Sequence, residues 1–485
     1  MLAPTQIYQT RFPRWAHQDK ALDAMLDHDA FALFMEMRTG KTKTILDEFG
    51  QDELDDTIDS LLVIAPAGVY RTWEDDINKH FSNDLLARSM LGVWESGPTE
   101  RQRAQLNSFM EHDGPRIFLV NVEALSTVDE AKERCLQFLG SGRTTMVVDE
   151  STTIKGRGAS RTKFCIKAAP LARKRRILSG LPSPQSPLDL YTQFEFLQHG
   201  LLGYTRYSKF EEHFAILTPK PFGPGNRMIN IVTGYQNLDE LHQLIQPHSF
   251  RVRLADCYDL PEKMYLRRDV EMTEEQKRIY HEMVQFCTAE LEKTERVTAT
   301  IVMTQMLRLH QILAGHTMSD NGYLVDIPEN KTAEILNILE NVSGKAVIWA
   351  AYDADIKKIT KALEKVYKPG SVARFWGGNA KTREAEELAF KTDPKCRFMI
   401  ATAAAGGRGR TWDVADTVIY HSNTFSLEHR MQSEERTQAI GKRTNVGVYD
   451  LLTRGTIEEK IVGALREKMK LSDAITGDAW REWIR

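Results

Sequence analysis

Cysteine is scarce, with five in 485 residues (Cys135, Cys165, Cys257, Cys287 and Cys396) and no C-x-x-C pair among them. That excludes a disulfide framework and a cysteine-built zinc knuckle, and a reducing compartment is the simpler setting. Long apolar runs are also missing. Arg11, Arg14 and His17 interrupt the amino-terminal stretch, and no later segment approaches the roughly 18 uninterrupted apolar residues of a membrane span. The expectation is a soluble, unexported protein with no membrane partner. Neither sign of charge dominates: 64 Lys and Arg stand against 67 Asp and Glu, a net charge of −3, so any surface for a polyanion must be local. The 13 histidines contain no H-E-x-x-H, and the pairs His242/His248 and His310/His316 lack helical ligand spacing, so no histidine metal site is expected. Fixed-period repeats and low-complexity tracts are absent too. What the chain does have is 42% hydrophobic and 27% charged residues, enough over this length for more than one sizeable core.

Short apolar runs bounded by turn residues alternate with longer amphipathic stretches. Leu61–Ala65, Ile117–Val120 and Met146–Val148 read as buried parallel strands in the first half, and Ala346–Trp349, Phe398–Ala401, Thr417–Tyr420 and Val446–Tyr449 repeat the pattern in the second. The predicted class is α/β, with two parallel-sheet layers divided near residue 255. The Pro/Gly-dense segment 219–226 reads as a loop inside an insert near 200–250, and 272–316 as helices of a second insert extending to about 330. The run Arg173-Lys-Arg-Arg176 reads as a solvated helix end, with a nuclear-localisation or DNA-binding patch as the alternative. Trp349, in an apolar strand, reads as core.

Two segments carry chemistry. Glu36-Met-Arg-Thr-Gly-Lys-Thr42 follows the apolar strand Phe31–Phe34. Gly40 lets backbone N–H groups approach phosphate oxygens, Lys41 reaches the terminal phosphates, and the Thr42 hydroxyl suits Mg²⁺. Met35 stands where such loops usually carry their first glycine. The second segment, Met146-Val-Val-Asp-Glu-Ser151, is a strand ending in two carboxylates. Asp149 would hold Mg²⁺ and Glu150 would orient or deprotonate a water. An acidic loop at a strand end is common, but hydrolysis of a nucleoside triphosphate needs both halves, and here both are present.

These segments, with others, resemble the Swi/Snf-like branch of the superfamily-two helicases and translocases over nearly the whole chain. Pro13-Arg-Trp-Ala-His-Gln18 approximates the adenine motif of that family, with Gln18 at the base-reading position. Leu62–Glu74, containing Pro66 and Trp73, and Val120–Glu123, containing Asn121, resemble its strand-contacting motifs. Asp149–Gly156 is similar to the D-E-x-H box and its trailing Lys155, with Ser151 and Thr152 replacing the usual residues. Leu178–Gln185 resembles the motif that couples hydrolysis to movement. Phe250–Arg253, Asp259–Lys263 and Met272–Tyr280 resemble a run characteristic of the Swi/Snf branch. In the second half, Lys345–Trp349, Thr402–Gly409 and Gln432–Gly441 look like the strand, glycine-rich and arginine motifs of the distal lobe.

The resemblance implies two RecA-like lobes, 1–255 and 256–485, with ATP and Mg²⁺ held mainly by the first, in the cleft between them. By its motifs, Lys41, Asp149, Glu150 and Arg436 would be catalytic. Gln18, Arg38, Thr39, Gly40, Lys41, Thr42, Lys43, Gly407 and Arg436 would bind ATP, and Thr42 and Asp149 would hold Mg²⁺. Ser179, Gly180 and Gln432 would couple hydrolysis to movement, while Pro66, Trp73, Asn121, Lys155, Thr402, Gly406 and Trp412 would contact DNA. The chain departs from the family at Ala439, where a second arginine is usual, and at Ala404. Arg408, Arg410, Lys442 and Arg443 are nearby cations that would substitute. The implied function is an ATP-dependent translocase on duplex or branched DNA with little sequence preference, acting as a monomer. A strand-separating DNA or RNA helicase is the alternative within the class, and a weakly hydrolysing ATP- and DNA-binding scaffold the alternative outside it. The economy of the chain suggests a bacterial or viral motor of replication, recombination or repair, in the cytoplasm and at the nucleoid.

Overall fold

The computed structural model describes residues 7–476 apart from 68, 223–226, 259–260, 294–298, 320, 407–409, 439–441 and 443. The chain divides into two compact units, Met1–Ile216 with Val232–Asp259 and Leu471–Ala479, and Leu217–Ile231 with Leu260–Lys470 and Trp480–Arg485. The first unit therefore reclaims a C-terminal stretch that a single division near 255 does not anticipate.

The first unit is built on strands β1 (Ala30–Met35), β2 (Ser60–Ala65), β3 (Met90–Val93), β4 (Arg116–Asn121), β5 (Thr144–Asp149) and β6 (Lys174–Leu178). After a two-stranded sheet of β7 (Ala215–Phe222) and β8 (Arg227–Tyr235), β9 (Ser249–Val252) completes a seven-stranded sheet. Its order is β3-β4-β2-β5-β6-β1-β9, and every pairing is parallel. Because side chains alternate across a strand, each strand feeds two cores. Ala32, Phe34, Leu62, Ile64, Phe118, Val120, Met146 and Val148 pack on one face; Leu33, Met35, Leu61, Val63, Ile117, Leu119 and Val147 pack on the other. Helices α1 (Ala16–Leu26), α2 (Lys41–Leu54) and α3 (Tyr70–His80) belong to this unit.

The second unit carries β10 (Lys263–Asp269), a β11 (His316–Met318)/β12 (Leu324–Asp326) hairpin, β13 (Lys345–Trp349), β14 (Val372–Phe375), β15 (Phe398–Ala401), β16 (Ala415–Tyr420) and β17 (Val446–Leu452). Its sheet runs β10-β17-β16-β13-β15-β14, again parallel throughout. The expected helical insert is present as Glu274–Lys293 and Ala299–Leu313. No described helix is long and apolar enough to cross a membrane.

Two local readings need correction. The segment read as a loop at 219–226 is strand as far as Phe222, passing through Pro219 and Pro221; 223–226 lie outside the described residues. The basic run 173–176 is not a solvated helix end, and half of it is withdrawn from any nucleic-acid patch. Lys174–Leu178 is β6, and two of its three cations, Lys174 and Arg176, are neutralised inside the fold. Lys174 Nζ pairs with Asp52 at 2.8 Å, and Arg176, fully buried, donates through Nε to both Glu48 oxygens at 3.1 and 3.2 Å. Burial of a guanidinium is tolerated only with such compensation.

The second unit encloses its own buried polar cluster. Asp355 lies 3.2 Å from His316 Nδ1 and 3.4 Å from His421 Nδ1, and His310 Nδ1 lies 2.7 Å from the Tyr352 hydroxyl. Burial pushes His310 down to about 4. Burial also raises the Asp355 carboxyl, but His421 and His316 outweigh it and hold it at about 2; Arg430 does the same for Glu434, also at about 2. A depressed imidazole contributes stability that is lost as pH falls from its unfolded value near 6.5, and depressed carboxylates lose theirs below about 4. His310 therefore weakens this unit between about pH 6.5 and 4, by about 3 kcal/mol in full, and the two carboxylates weaken it further only below about pH 4. In the first unit burial raises Asp47, Asp52, Asp189 and Asp76, the last to about 6, and their uptake of protons opposes the depressed His80 and His248. Hydrogen exchange between about pH 7 and pH 4 should accordingly show the amides of β13–β17 losing protection before those of β1–β6.

Candidate functional site

In an open parallel sheet, ligands bind outside the carboxyl ends of the strands, and most of the expected residues of the first unit collect there. The phosphate loop leaves β1, Pro66 follows β2, Asn121 ends β4, Asp149 ends β5 and Ser179 follows β6.

The loop is held from both sides. Thr39 Oγ1 donates to the Glu36 carbonyl at 2.7 Å, while Glu36 Oε2 accepts from Leu254 N at 2.9 Å and Glu36 Oε1 lies 3.4 Å from Arg251. His17 Nε2 and Gln18 Nε2 approach the Thr39 carbonyl at 2.7 and 3.2 Å. Gln18 Oε1 also accepts from Trp15 N at 3.0 Å, so this buried amide caps α1 and clamps the loop at once. Arg38 and Gly40 both take left-handed backbone, at φ 67° and 88°. A side chain at Gly40 would be strained by its φ, and its Cβ, 2.0 Å from Gln18 Nε2, would displace the amide that clamps the loop. Gly40 is also the N-cap of α2, a 14-residue helix whose first N–H groups and dipole favour an anion. Lys41 and Thr42 form its first turn, with Lys41 Nζ donating to the Met35 carbonyl at 2.7 Å.

Lys43 points elsewhere. It donates to Asp47 at 2.6 Å and to Thr10 at 3.1 Å, so its side chain pins α2 and does not face the loop. One side of a helix cannot serve three successive residues, which is why the sequence run overstates the site.

Across the sheet edge, Asp149 is buried and held at both oxygens. Glu150 N donates to Oδ1 and the Trp73 indole Nε1 to Oδ2, each at 2.9 Å. Glu150 adopts left-handed backbone at φ 49°, which costs a non-glycine residue about 1–3 kcal/mol and turns the chain into the short 3₁₀ segment Ser151–Ile154. Burial, with Asp75 and Asp149 adding like charge, lifts the nearby Asp76 carboxyl to about 6. This donor set fits a magnesium–triphosphate: backbone N–H groups and an ammonium for phosphate oxygens, a hydroxyl and a carboxylate as hard oxygen ligands.

Gln193 was invisible in the sequence, because its segment reads as an apolar helix. It is fully buried on Leu190–Leu197, accepts from Ser151 Oγ at 2.6 Å, and donates to the carbonyls of Pro182 and Asp189, both at 2.8 Å. It thus joins the acidic motif to the Ser179–Gln185 segment. Ser179 Oγ accepts from Leu181 N at 3.1 Å, and the Gly180 carbonyl accepts from Arg251 at 3.0 Å. Gln193→Leu strands the Ser151 hydroxyl and the Pro182 carbonyl, and should cost about 1–3 kcal/mol of stability, read as a lower urea midpoint. Adding Ser151→Ala should cost less than the sum of the single changes.

Several DNA-contact expectations meet a different geometry. Trp73 is buried against Asp149 and presents no face for stacking. Trp412 is likewise buried, stacked on Trp349 at 5.4 Å between centroids and donating to Glu387 at 3.0 Å; both rings are core of the second unit. Lys155 lies 3.6 Å from Asp189. Pro66 accepts from Val69 N at 2.8 Å, and the buried Asn121 Oδ1 has no hydrogen-bond partner. Thr402 caps the short helix Ala403–Gly406 by accepting from Ala405 N at 3.3 Å. Gln432 lies 3.4 Å from Glu428.

Arg436 is fully buried within its own unit and donates to the Arg410 carbonyl, so in this conformation it is a structural cation. Among the substitutes for the missing second arginine, Arg410 pairs with Glu387 at 2.9 Å and Lys442 donates to the Ala415 and Thr437 carbonyls. Gly407, Arg408, Ala439 and Arg443 lie outside the described residues.

Comparison with known proteins adds a family. The profile of the SNF2-related domain matches residues 17–318, well over half of the 485. The chain is 23% identical over 425 residues to the putative ATP-dependent helicase/translocase YwqA of Bacillus subtilis, covering 85% of this chain and 43% of that one. It is 23% identical over 416 residues to the human DNA annealing helicase and endonuclease ZRANB3, covering 85% and 36%. It therefore spans less than half the length of these relatives. A solved Sulfolobus solfataricus SWI2/SNF2 ATPase core in complex with dsDNA aligns at 23% identity with a TM-score of 0.42, covering 97% of this chain and 95% of that one.

Proposed function

Because this chain belongs to the SNF2-related domain family, we propose that it is an ATP-dependent motor that tracks along duplex or branched DNA. The observation that carries the reading is that Lys41 and Thr42, at the helix N-terminus after β1, and Asp149 and Glu150, at the end of β5, lie at the carboxyl ends of two strands of one parallel sheet with only β6 between them. Bound Mg·ATP would supply a terminal phosphoryl group that passes to water as ADP leaves. Around it the loop N–H groups and Lys41 would hold phosphate oxygens, Thr42 and Asp149 would hold the metal, and Glu150 would take the proton of the attacking water. Gln193 carries displacement at Ser151 to the Ser179–Gln185 segment. The helicase and translocase names of the relatives support a nucleic-acid track. Contact with that track would go mostly to phosphate and sugar, giving little sequence preference and strong salt dependence. We place the motor, as a monomer, with the genome of a bacterial or virus-infected cell.

One observation favours a second reading, a scaffold that binds ATP and DNA but turns over slowly: Arg436 is buried and engaged within its own unit. An arginine acting on the phosphoryl group is worth about 10³–10⁵ in rate. Steady-state hydrolysis at low salt with no nucleic acid, single-stranded DNA, blunt duplex, forked DNA and double-stranded RNA separates the two. Stimulation by duplex or forked DNA supports the motor, and hydrolysis no higher than that of Glu150→Gln on every substrate supports the scaffold.

A further inference from the structure

Trp73 is 1% exposed, and the one polar atom of its ring is spent on Asp149 Oδ2, 76 residues away in sequence. With Glu150 N on Oδ1, the carboxylate is gripped at both oxygens, which fixes its plane and the directions of its remaining lone pairs. For a carboxylate that holds a metal, partners of this kind set orientation and basicity, and losing one costs about 10–100-fold in metal affinity or activity. Trp73 also sits in the first turns of α3, immediately after the turn in which the Pro66 carbonyl accepts from Val69 N and Tyr70 N at 2.8 and 3.3 Å. The indole therefore connects the first turns of α3 directly to the carboxylate that ends β5.

We propose that Trp73 is a positioning residue: its indole N–H orients the Asp149 carboxylate for the metal and ties that orientation to the N-terminal turns of α3. This rests on the reading of Asp149 as the metal carboxylate of an ATP site. Displacement of the start of α3 then reaches the Asp149 carboxylate through one hydrogen bond.

A built-in control exists. Trp94 is equally buried, at 2% exposure, but its indole Nε1 has no hydrogen-bond partner. Tryptophan-to-phenylalanine changes at the two positions remove similar bulk, while only Trp73→Phe removes a hydrogen bond to Asp149. The test uses the full chain and a fluorescent ATP analogue, titrated first in EDTA and then against Mg²⁺. Trp73→Phe should bind the analogue in EDTA as the wild type does, yet need about tenfold more Mg²⁺ for half-maximal effect; Trp94→Phe should shift neither. In an Asp149→Asn background the Trp73→Phe shift should vanish, because the two act through one ligand. Trp73→His, which keeps a ring N–H, stands in if the phenylalanine variant does not fold, and should shift the midpoint less than Asp149→Asn does. Superimposable Mg²⁺ curves for wild type and Trp73→Phe, or equal shifts at Trp73 and Trp94, overturn the role of Trp73 alone. A wild-type chain that binds the analogue with no response to Mg²⁺ overturns the site reading, and the proposal with it.

Discussion

Glu150→Gln should lower ATP hydrolysis by about 10²–10⁴-fold while leaving Mg·ATP bound, the range expected when a general base is removed from an otherwise intact site. The substitution keeps the shape of a residue that already occupies strained left-handed backbone, and it leaves the Glu150 N–H on Asp149 Oδ1. Folding and metal placement should therefore survive it. Lys41→Ala should fail differently. Its ammonium reaches back to the end of β1, where the phosphates would lie, so its loss removes nucleotide affinity along with turnover. Nucleotide binding measured beside turnover tells the two apart: Glu150→Gln binds without hydrolysing, and Lys41→Ala does neither. Unchanged turnover in either variant would contradict the site.

The largest stability effect is expected at Arg430→Met. The Arg430 guanidinium, buried on the Leu427–Glu435 helix, donates to both Asp450 oxygens at 2.6 and 2.9 Å, to Glu434 at 2.6 Å and to Asn423 at 2.7 Å. It also lies 3.5 Å over the Tyr420 ring. Asp450 stands on β17 and Tyr420 on β16, while Lys263 and Tyr265 on β10 complete the shell around Glu434 at 3.3 and 2.7 Å. One side chain thus binds a helix to the sheet. Removing it takes a shared guanidinium from two buried carboxylates, and breaking a buried pair from one side costs about 3–5 kcal/mol. Urea unfolding should show a loss of that size, with Arg430→Met/Asp450→Asn recovering part of it. A loss under about 1 kcal/mol would mean that water reaches the pocket.

The two sheets and the two chemical segments were legible because their signals are local. A buried parallel strand is a continuous apolar run, and a phosphate loop or an acidic pair announces itself within a few residues. What stayed hidden depends on partners distant in sequence. β6 reads as a basic patch until Glu48 and Asp52 are seen to neutralise it. Trp73 reads as a DNA contact until Asp149 is seen at its indole nitrogen. Gln193 offers no signal at all, being one polar residue in an apolar helix whose meaning comes from Ser151 and Pro182. Trp412 and Arg436 fail for the converse reason: family motifs mark the positions, but in this fold both side chains face inward, and burial has the first claim on them.

The most direct test of the whole account is steady-state ATP hydrolysis by the purified chain with and without duplex DNA, against Glu150→Gln and across a salt series. A wild-type rate that rises strongly on duplex or forked DNA, falls steeply with salt and disappears in Glu150→Gln is the expected result. A rate indifferent to every nucleic acid, or one that persists when Glu150 is changed, would contradict it.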